Sequence, residues 1–283
     1  MDETWLSVLL DAALLEDLGT GDLTTEALFT KAVAGQAALV AKQELVVCGQ
    51  MIAHKLCKRF DSNLSYREIT ADGQLVEPGT VIGKLDGSVA GILSLERTLL
   101  NFLQHLSGVA TLTRQFVGEV EGTGAKVLDT RKTLPGYREL EKYAVRVGGG
   151  TNHRSGLYDA MMLKDNHLDA VSIDLEAAVE RLKAYRKHDE SITVEVRDQA
   201  ELERAIRSAP ERILLDNMSV EELTHAVTIV RRQAPQIELE ASGGVTLQTV
   251  RSIAETGVDA ISVGALTHSA PAADISLRYQ TGG

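Results

Sequence analysis

ITVEVRDQAELERAIRSAPERILLDNM, residues 192–218, holds the unit from which the fold is read. The apolar run Ile192-Thr193-Val194 ends on the acid Glu195, a helical segment follows, and a second run, Arg212-Ile213-Leu214-Leu215, ends on Asp216. The same cadence extends both ways. Lys126-Val127-Leu128 precedes Asp129, the run from Ala160 to Leu163 precedes Lys164, Ile237-Glu238-Leu239 leads to Ser242, and Ala260-Ile261-Ser262-Val263 leads to Gly264. Strands alternating with helices predict parallel βαβ units. From Lys164 onward the residues at the run ends recur at intervals of 31, 21, 26 and 22 residues, the length of a compact strand-helix unit. In a closed α/β barrel, residues just past the strand ends share one mouth, where such barrels do their chemistry. A doubly wound open sheet also alternates elements, but gives no reason for a polar residue at nearly every strand end. The barrel reading makes Lys164, Glu195 and Asp216 converge.

Upstream, residues 4–18 place Trp5, Leu9, Ala12, Ala13 and Leu15 at helical spacing, with Thr4 as N-cap and Gly19 as C-cap. Gln36 to Ala41 alternates as a strand, and Gln50 to Phe60 reads as a helix. Between Asn63 and Leu93 the pairs Asp72-Gly73, Pro78-Gly79 and Asp86-Gly87 mark turns between hairpin strands. Residues 1 to about 90 thus form a small α+β domain without a motif of known chemistry. Residues 92–120 are helical, interrupted near Ser107-Gly108. Arg97, Asn101 and His105 fall on one stripe of that helix, opposite Leu95, Leu99, Phe102 and Leu106. Such a stripe is a solvated face unless another domain or subunit covers it.

The chain has 283 residues, 44% hydrophobic and 24% charged, which is the composition of a globular protein with a sizeable core. No apolar run approaches the roughly 18–20 residues that cross a bilayer. The opening MDETWLSVLLDAALLEDLG carries acids where a targeting peptide carries bases, so a cytoplasmic protein is expected. Cys48 and Cys57 fit neither a zinc pattern nor a disulfide framework and read as small buried hydrophobes. A net charge of -11 argues against nucleic acid as a partner, since neutralising phosphates takes a basic face.

Against that acidity, the window Asp129–His167 holds seven Lys/Arg and five Asp/Glu, with two of the seven histidines. Its cations cluster beside chain-bending residues: Arg131-Lys132 before Pro135-Gly136, His153-Arg154 after Gly148-Gly149-Gly150, and Lys164 after Leu163. A local cationic excess in an acidic chain implies an anionic ligand, the alternative being solvated surface charge. Arg binds carboxylate through a two-bond fork that Lys cannot match, so Arg131, Arg154 and Arg97 point to a planar substrate with carboxylates. His153 has a packing role or a ligand contact. Lys164 suits anion binding, with a Schiff-base role as the alternative. Glu195 and Asp216 can act as bases, hold ribose hydroxyls, help coordinate magnesium, or pair with Lys164. Ser242-Gly243-Gly244 and Val263-Gly264-Ala265 follow the last two runs, where barrels commonly bind phosphate through backbone N–H groups, or simply make tight turns.

Seven ordered motifs then carry a resemblance. Thr130-Arg131-Lys132-Thr133 with Pro135-Gly136, GGGTNHRSGL (148–157), LKDNH (163–167), VEV (194–196), LLDNM (214–218), LEASGG (239–244) and SVGALTHS (262–269) together resemble the quinolinate phosphoribosyltransferases. The likeness runs from the Asp17–Asp22 region to the C-terminus. Two positions depart from it: Arg197 stands where an acid usually follows VEV, and Tyr137 where leucine usually follows Pro-Gly.

The resemblance implies phosphoribosyl transfer from phosphoribosyl pyrophosphate to quinolinate with loss of carbon dioxide, in NAD synthesis, with magnesium carried by the phosphoribosyl pyrophosphate and no metal ligands assigned to the protein. It implies an N-terminal α+β sandwich domain, residues 1–110, followed by an incomplete six- or seven-stranded α/β barrel, residues 111–269, with a tail from about 270 to 283 returning to the first domain. Arg97, Arg131, His153, Arg154 and Lys164 would surround the quinolinate carboxylates, with Thr130 and Lys132 in the same loop. Glu195 and Asp216 would hold the ribose and its metal; catalysis would fall to Lys164, Glu195 and Asp216. Ser242, Gly243, Gly244, Val263, Gly264 and Ala265 would hold the 5-phosphate. A homodimer with shared active sites is implied, Arg97 reaching the partner's barrel, with higher assembly left open. Two further readings remain: a nicotinate-using relative with a one-carboxylate substrate, and an aldolase built on Lys164.

Overall fold

The computed structural model describes residues 2–280, and the last three residues of the expected tail lie outside them. The described residues gather into two compact units. One holds the chain up to Arg114, the segment Pro135–Gly149 and the chain from Ala270 on; the other holds Gln115–Leu134 and Gly150–Ser269.

The first unit opens with α1 (Glu3–Leu18), α2 (Leu23–Leu28), β1 (Ala34–Ala41), β2 (Leu45–Val46), α3 (Gln50–Phe60), β3 (Ser65–Glu68), β4 (Leu75–Val76) and β5 (Val81–Ser88). The long α4 (Val89–Glu119) follows, and the unit boundary falls inside it. Asp2, two residues earlier than expected, caps α1: its carboxylate accepts the Thr4 and Trp5 N–H groups. The helix buries Leu6 and Leu10, and leaves Trp5 and Leu15 exposed, so its inward face is one step round from the one the spacing suggested. Gly73 and Gly79 turn with positive φ, as their dipeptides imply. Asp86-Gly87 makes no turn and lies within β5, where a Cβ on Gly87 would meet Leu64 at 2.8 Å.

Helix α4 also runs through Ser107-Gly108 without a break. Ser107 sits there to bond, its Oγ accepting the Cys48 N–H and donating to the Cys48 carbonyl. Gly108 sits there because a Cβ would come within 2.1 Å of the Pro271 carbonyl oxygen. Leu95, Leu99, Phe102 and Leu106 are buried as expected, each such side chain stabilising by about 1.5–3 kcal/mol. On the other stripe Arg97 and Asn101 are exposed. His105 is not solvated: its Nε2 lies 2.9 Å from the fully buried carboxylate of Glu141.

Beyond α4 come β6 (Lys126–Leu128), α5 (Arg138–Val147), β7 (Met161–Leu163), α6 (Asp165–Val171), α7 (Leu175–Tyr185), β8 (Ile192–Val196), α8 (Gln199–Ser208), β9 (Arg212–Asp216), α9 (Val220–Gln233), β10 (Glu238–Ser242), α10 (Val250–Ala254), β11 (Ala260–Ser262), α11 (Ala265–His268) and β12 (Ile275–Gln280). Helix α5 belongs to the first unit, as does β12, which pairs antiparallel with β1 in a sheet of order β12-β1-β5-β3. There Tyr137 stacks on Phe102, with centroids 5.8 Å apart.

The second unit is a six-stranded parallel sheet of order β6-β11-β10-β9-β8-β7. Read as a ring, that order is sequential and open at one joint, between β6 and β7; a doubly wound sheet would instead reverse direction at a switch point. This is an incomplete α/β barrel. At the open joint the chain makes a single parallel bridge, Leu128 with Thr151, whose N–H donates to the Val127 carbonyl at 2.8 Å. A would-be seventh strand is reduced to that one residue. Among the described residues no helix is long and apolar enough to cross a membrane.

Candidate active site

A cavity of about 440 Å³, within the usual range for small-ligand pockets, opens in the second unit. Its walls follow the pleat of the strands, in which alternate residues share a face. Met162 and Lys164 continue β7, Glu195 comes from β8, Leu214 and Asp216 from β9, Glu240 and Ser242 from β10, and Ser262 from β11. The loop after β6 adds Thr130, Arg131 and Lys132; the segment before β7 adds His153 and Arg154; the turns after β9 and β10 add Asn217, Gly243 and Gly244. Eleven residues expected from the sequence therefore meet in one cavity: Thr130, Arg131, Lys132, His153, Arg154, Lys164, Glu195, Asp216, Ser242, Gly243 and Gly244.

Four others lie elsewhere. Arg97 is exposed on α4 in the first unit. Val263 is buried, and its N–H is spent on the Leu128 carbonyl at 2.9 Å. Gly264 and Ala265 open the four-residue α11 outside the cavity lining, Gly264 close enough to Lys132 that a Cβ would sit 3.4 Å from its Cδ. The strand β11 stops at Ser262, so strand parity turns Ser262 toward the cavity and Val263 away from it.

Sequence reasoning missed Met162, Leu214, Asn217, Glu240 and Ser262. Parity was the signal: Met162, Leu214 and Glu240 each stand two residues before a polar strand-end residue. Glu240 is fully buried. Its Oε2 lies 3.1 Å from His153 Nε2 and 3.0 Å from Arg212 Nη1, and Ser262 Oγ donates to its Oε1. Burial opposes its ionisation, but the hydrogen bond and the charge interaction with His153, the hydrogen bond from Ser262 and the Arg212 charge outweigh that and hold its carboxyl below the usual range.

Asp129, also fully buried, accepts the His153 N–H at 2.9 Å and a hydrogen bond from Asn152 Nδ2, anchoring the loop that carries the cations. Arg154 donates to the Ala160 carbonyl at 3.2 Å and to the Met162 sulfur at 3.6 Å. Burial, then the neighbouring Arg131 charge, holds the Arg154 guanidinium below its ordinary pKa. Two guanidiniums that repel each other in a half-buried pocket are relieved by an anion. Opposite them Lys164 donates to Glu195, and Asp216 accepts from Asn217 Nδ2 at 2.8 Å.

Gly243 is dictated by its surroundings. Its φ is +103°, and a Cβ there would come within 2.1 Å of Asn217 Oδ1 and 3.0 Å of the Asn217 nitrogen. Asn217 itself has φ +53° and donates its N–H to the Ser242 carbonyl at 2.8 Å. The turns after β9 and β10 thus lock together. Neither sequence departure lines the cavity: Arg197 is exposed, paired with Asp165 and Glu201, each at 2.9 Å.

Fold and site together define an α/β-barrel protein whose cavity combines clustered cations, three carboxylates and a glycine turn. The N-terminal domain of quinolinate phosphoribosyl transferase matches residues 22–107, and its C-terminal domain matches residues 109–278. A probable nicotinate-nucleotide pyrophosphorylase (carboxylating) of Bacillus subtilis is 41% identical over 277 residues, covering 98% of this chain and 94% of the relative. A quinolinate phosphoribosyltransferase (decarboxylating) of Nicotiana glauca is 38% identical over 294 residues, covering 98% and 83%. The structure of the nicotinate-nucleotide pyrophosphorylase from Francisella tularensis superposes with a TM-score of 0.92 at 38% identity, over 99% of this chain and 98% of that one. The chain belongs to the quinolinate phosphoribosyltransferase family.

Proposed function

We propose that this chain transfers phosphoribosyl from phosphoribosyl pyrophosphate to quinolinate with decarboxylation, giving nicotinate mononucleotide, pyrophosphate and carbon dioxide in de novo NAD synthesis. The observation that carries the reading is the meeting of Arg131, Lys132, Arg154 and Lys164 with Glu195 and Asp216 in one cavity. Arg131 and Arg154, with Lys164, hold the two carboxylates of quinolinate and aim its ring nitrogen at the anomeric carbon. The nitrogen–carbon bond forms as the bond to pyrophosphate breaks, the electron pair leaving on pyrophosphate. Cationic side chains are most useful where that charge grows. The ring nitrogen, now cationic, accepts the charge left when the adjacent carboxylate departs as carbon dioxide, and the ring carbon takes up a proton. No separate electron sink is required.

In this reading Glu195 and Asp216 hold the ribose, the Ser242-Gly243-Gly244 turn holds the 5-phosphate, and Gly264 backs Lys132. Magnesium enters with phosphoribosyl pyrophosphate and supplies charge neutralisation on the leaving group. The donor set suits that: magnesium is commonly held by one or two carboxylates plus substrate phosphates, and Glu195 and Asp216 are carboxylates that line the cavity. Engagement of Lys164 by Glu195 suits charge stabilisation better than imine formation, which weighs against the aldolase. The proposal includes a homodimer in which exposed Arg97 reaches the partner's cavity, supported by exposed apolar side chains on the first unit such as Leu15, Leu23 and Leu28. It also includes a reducing, cytoplasmic setting, in keeping with two free, buried cysteines.

The test is to incubate purified protein with quinolinate, phosphoribosyl pyrophosphate and magnesium, following carbon dioxide and nicotinate mononucleotide together. Both should appear in equal amounts. Turnover of nicotinate in place of quinolinate would overturn the assignment, and borohydride trapping of substrate on Lys164 would favour the aldolase.

A further inference from the structure

We propose that Thr267 is a positioning residue of this site: its buried hydroxyl holds the main chain of Lys132, and so sets where the Lys132 ammonium stands in the cavity. The inference rests on the phosphoribosyl-transfer reading for its kinetic consequences, though not for its geometry. Lys132 lines the cavity from the loop after β6. That strand has only three residues and stands at one end of the sheet. Among the described residues β11 is its one ladder neighbour, with the Leu128–Thr151 bridge on the other side. The pairing of β6 with β11 closes on the Val263 N–H, which donates to the Leu128 carbonyl at 2.9 Å. Beyond that bond both segments leave the sheet, and the loop that carries the cations needs a tie of its own.

Short-range bonds do not supply it. The Lys132 N–H donates to Thr130 Oγ1 at 3.1 Å and the Thr133 N–H to the Arg131 carbonyl at 3.0 Å, which shapes the loop without fastening it to the barrel. Thr267, in α11 and 135 residues further along the chain, does fasten it: its Oγ1 donates to the Lys132 carbonyl at 2.7 Å. A second acceptor, the Gly264 carbonyl, lies at 3.3 Å and already takes the N–H groups of Thr267 and His268, both at 3.2 Å. One hydroxyl has one proton, and the shorter contact takes it. Thr267 is only 2% exposed, and burying a hydroxyl is costly unless it is bonded. Packing alone would be served as well by valine, which has the same shape. The same turn also leaves room for the lysine stem, since a Cβ on Gly264 would sit 3.4 Å from Lys132 Cδ. Main chain and stem of Lys132 are thus both set by the turn that follows β11.

Two measurements test this. In Thr267→Val, amide hydrogen exchange of the free protein over residues 130–134 should speed up about fivefold or more relative to exchange over β8 and β9. An equal change in both regions, or none at 130–134, would overturn the proposal. Kinetically, Thr267→Val should lower kcat/KM about tenfold, the effect of one lost hydrogen bond whose acceptor is left unpaired. Thr267→Ser, which keeps the hydroxyl, should recover most of that loss. In a Lys132→Ala background the same Thr267→Val change should cost less than about twofold, because the group it positions is gone. A full tenfold loss there, or no recovery by serine, would mean that Thr267 serves only the fold. Should Thr267→Val not fold, Thr267→Cys, which keeps the volume but donates weakly, takes its place in both measurements. Because exchange is read without substrate, it stands or falls separately from quinolinate turnover, whose absence would sink the functional reading alone.

Discussion

Lys164 Nζ donates a hydrogen bond to Glu195 Oε2 between neighbouring parallel strands, each residue one step beyond the paired Leu163 and Val194. The Glu195 side chain is only 13% exposed, so Glu195 depends on Lys164 as its charge partner. Lys164→Ala and Glu195→Gln should each cut kcat/KM, and the double variant should lose less than the sum. A coupling of about 0.5–3 kcal/mol is the range for contacting groups, and strict additivity would show that they act independently.

Arg154→Lys should weaken quinolinate binding by about 1.5–3 kcal/mol, the range for a hydrogen bond to a charged group. Lysine cannot supply the fork, nor reach both Ala160 and Met162 from one nitrogen. Calorimetry should register the loss for quinolinate and little change for phosphoribosyl pyrophosphate; equal weakening of both would make Arg154 a support of the fold.

Sharing of the site between subunits predicts complementation. Arg97→Ala and Lys164→Ala, each nearly inactive alone, are unfolded, mixed and refolded together. In a twofold dimer one site of each mixed pair carries both defects and the other neither, so about a quarter of wild-type activity should return. No recovery, with mixed dimers demonstrated, would return Arg97 to the role of ordinary surface charge.

Gly108→Ala should destabilise the protein although alanine is the better helix former. The new Cβ would lie 2.1 Å from a backbone oxygen at Pro271. Overpacking of that kind costs about 1–3 kcal/mol and outweighs the roughly 1 kcal/mol of helix propensity. A thermal melt at or above the wild-type midpoint would contradict this.

The two thiols supply a pH test. Cys48 is fully buried and Cys57 nearly so, and neither should react with a thiol reagent at pH 8 until the protein is unfolded. Burial pushes the Cys57 thiol from 9.0 up to about 12. The raised value means that its contribution to stability is intact below pH 9 and is lost as pH rises from 9 toward 12, where only the unfolded thiol ionises readily. Denaturant midpoints should fall over that window, and fall less in Cys57→Ala.

Much of this protein is written locally. The apolar runs at Lys126, Met161, Ile192, Arg212, Glu238 and Ala260 became the six barrel strands, because alternation of strand and helix is a property of neighbouring residues and needs no knowledge of the whole. Lys164, Glu195 and Asp216 could be singled out for the same reason: polar residues ending apolar runs are visible without a structure. What sequence order could not supply was which face of each strand closes inward. That face depends on how the sheet curls, and it turned Ser262 rather than Val263 to the cavity. It could not reveal that Pro135–Gly149 leaves the barrel for the other unit and that the ring stays open between β6 and β7. Glu240 is the plainest case. In the chain it is one more acid in a strand of an acidic protein; its burial is tolerable only because His153, 87 residues away, Arg212, 28 away, and Ser262, 22 away, arrive around it when the strands assemble. Local periodicity decides the elements, but the cost of burying a charge is settled by partners that only the tertiary fold brings together.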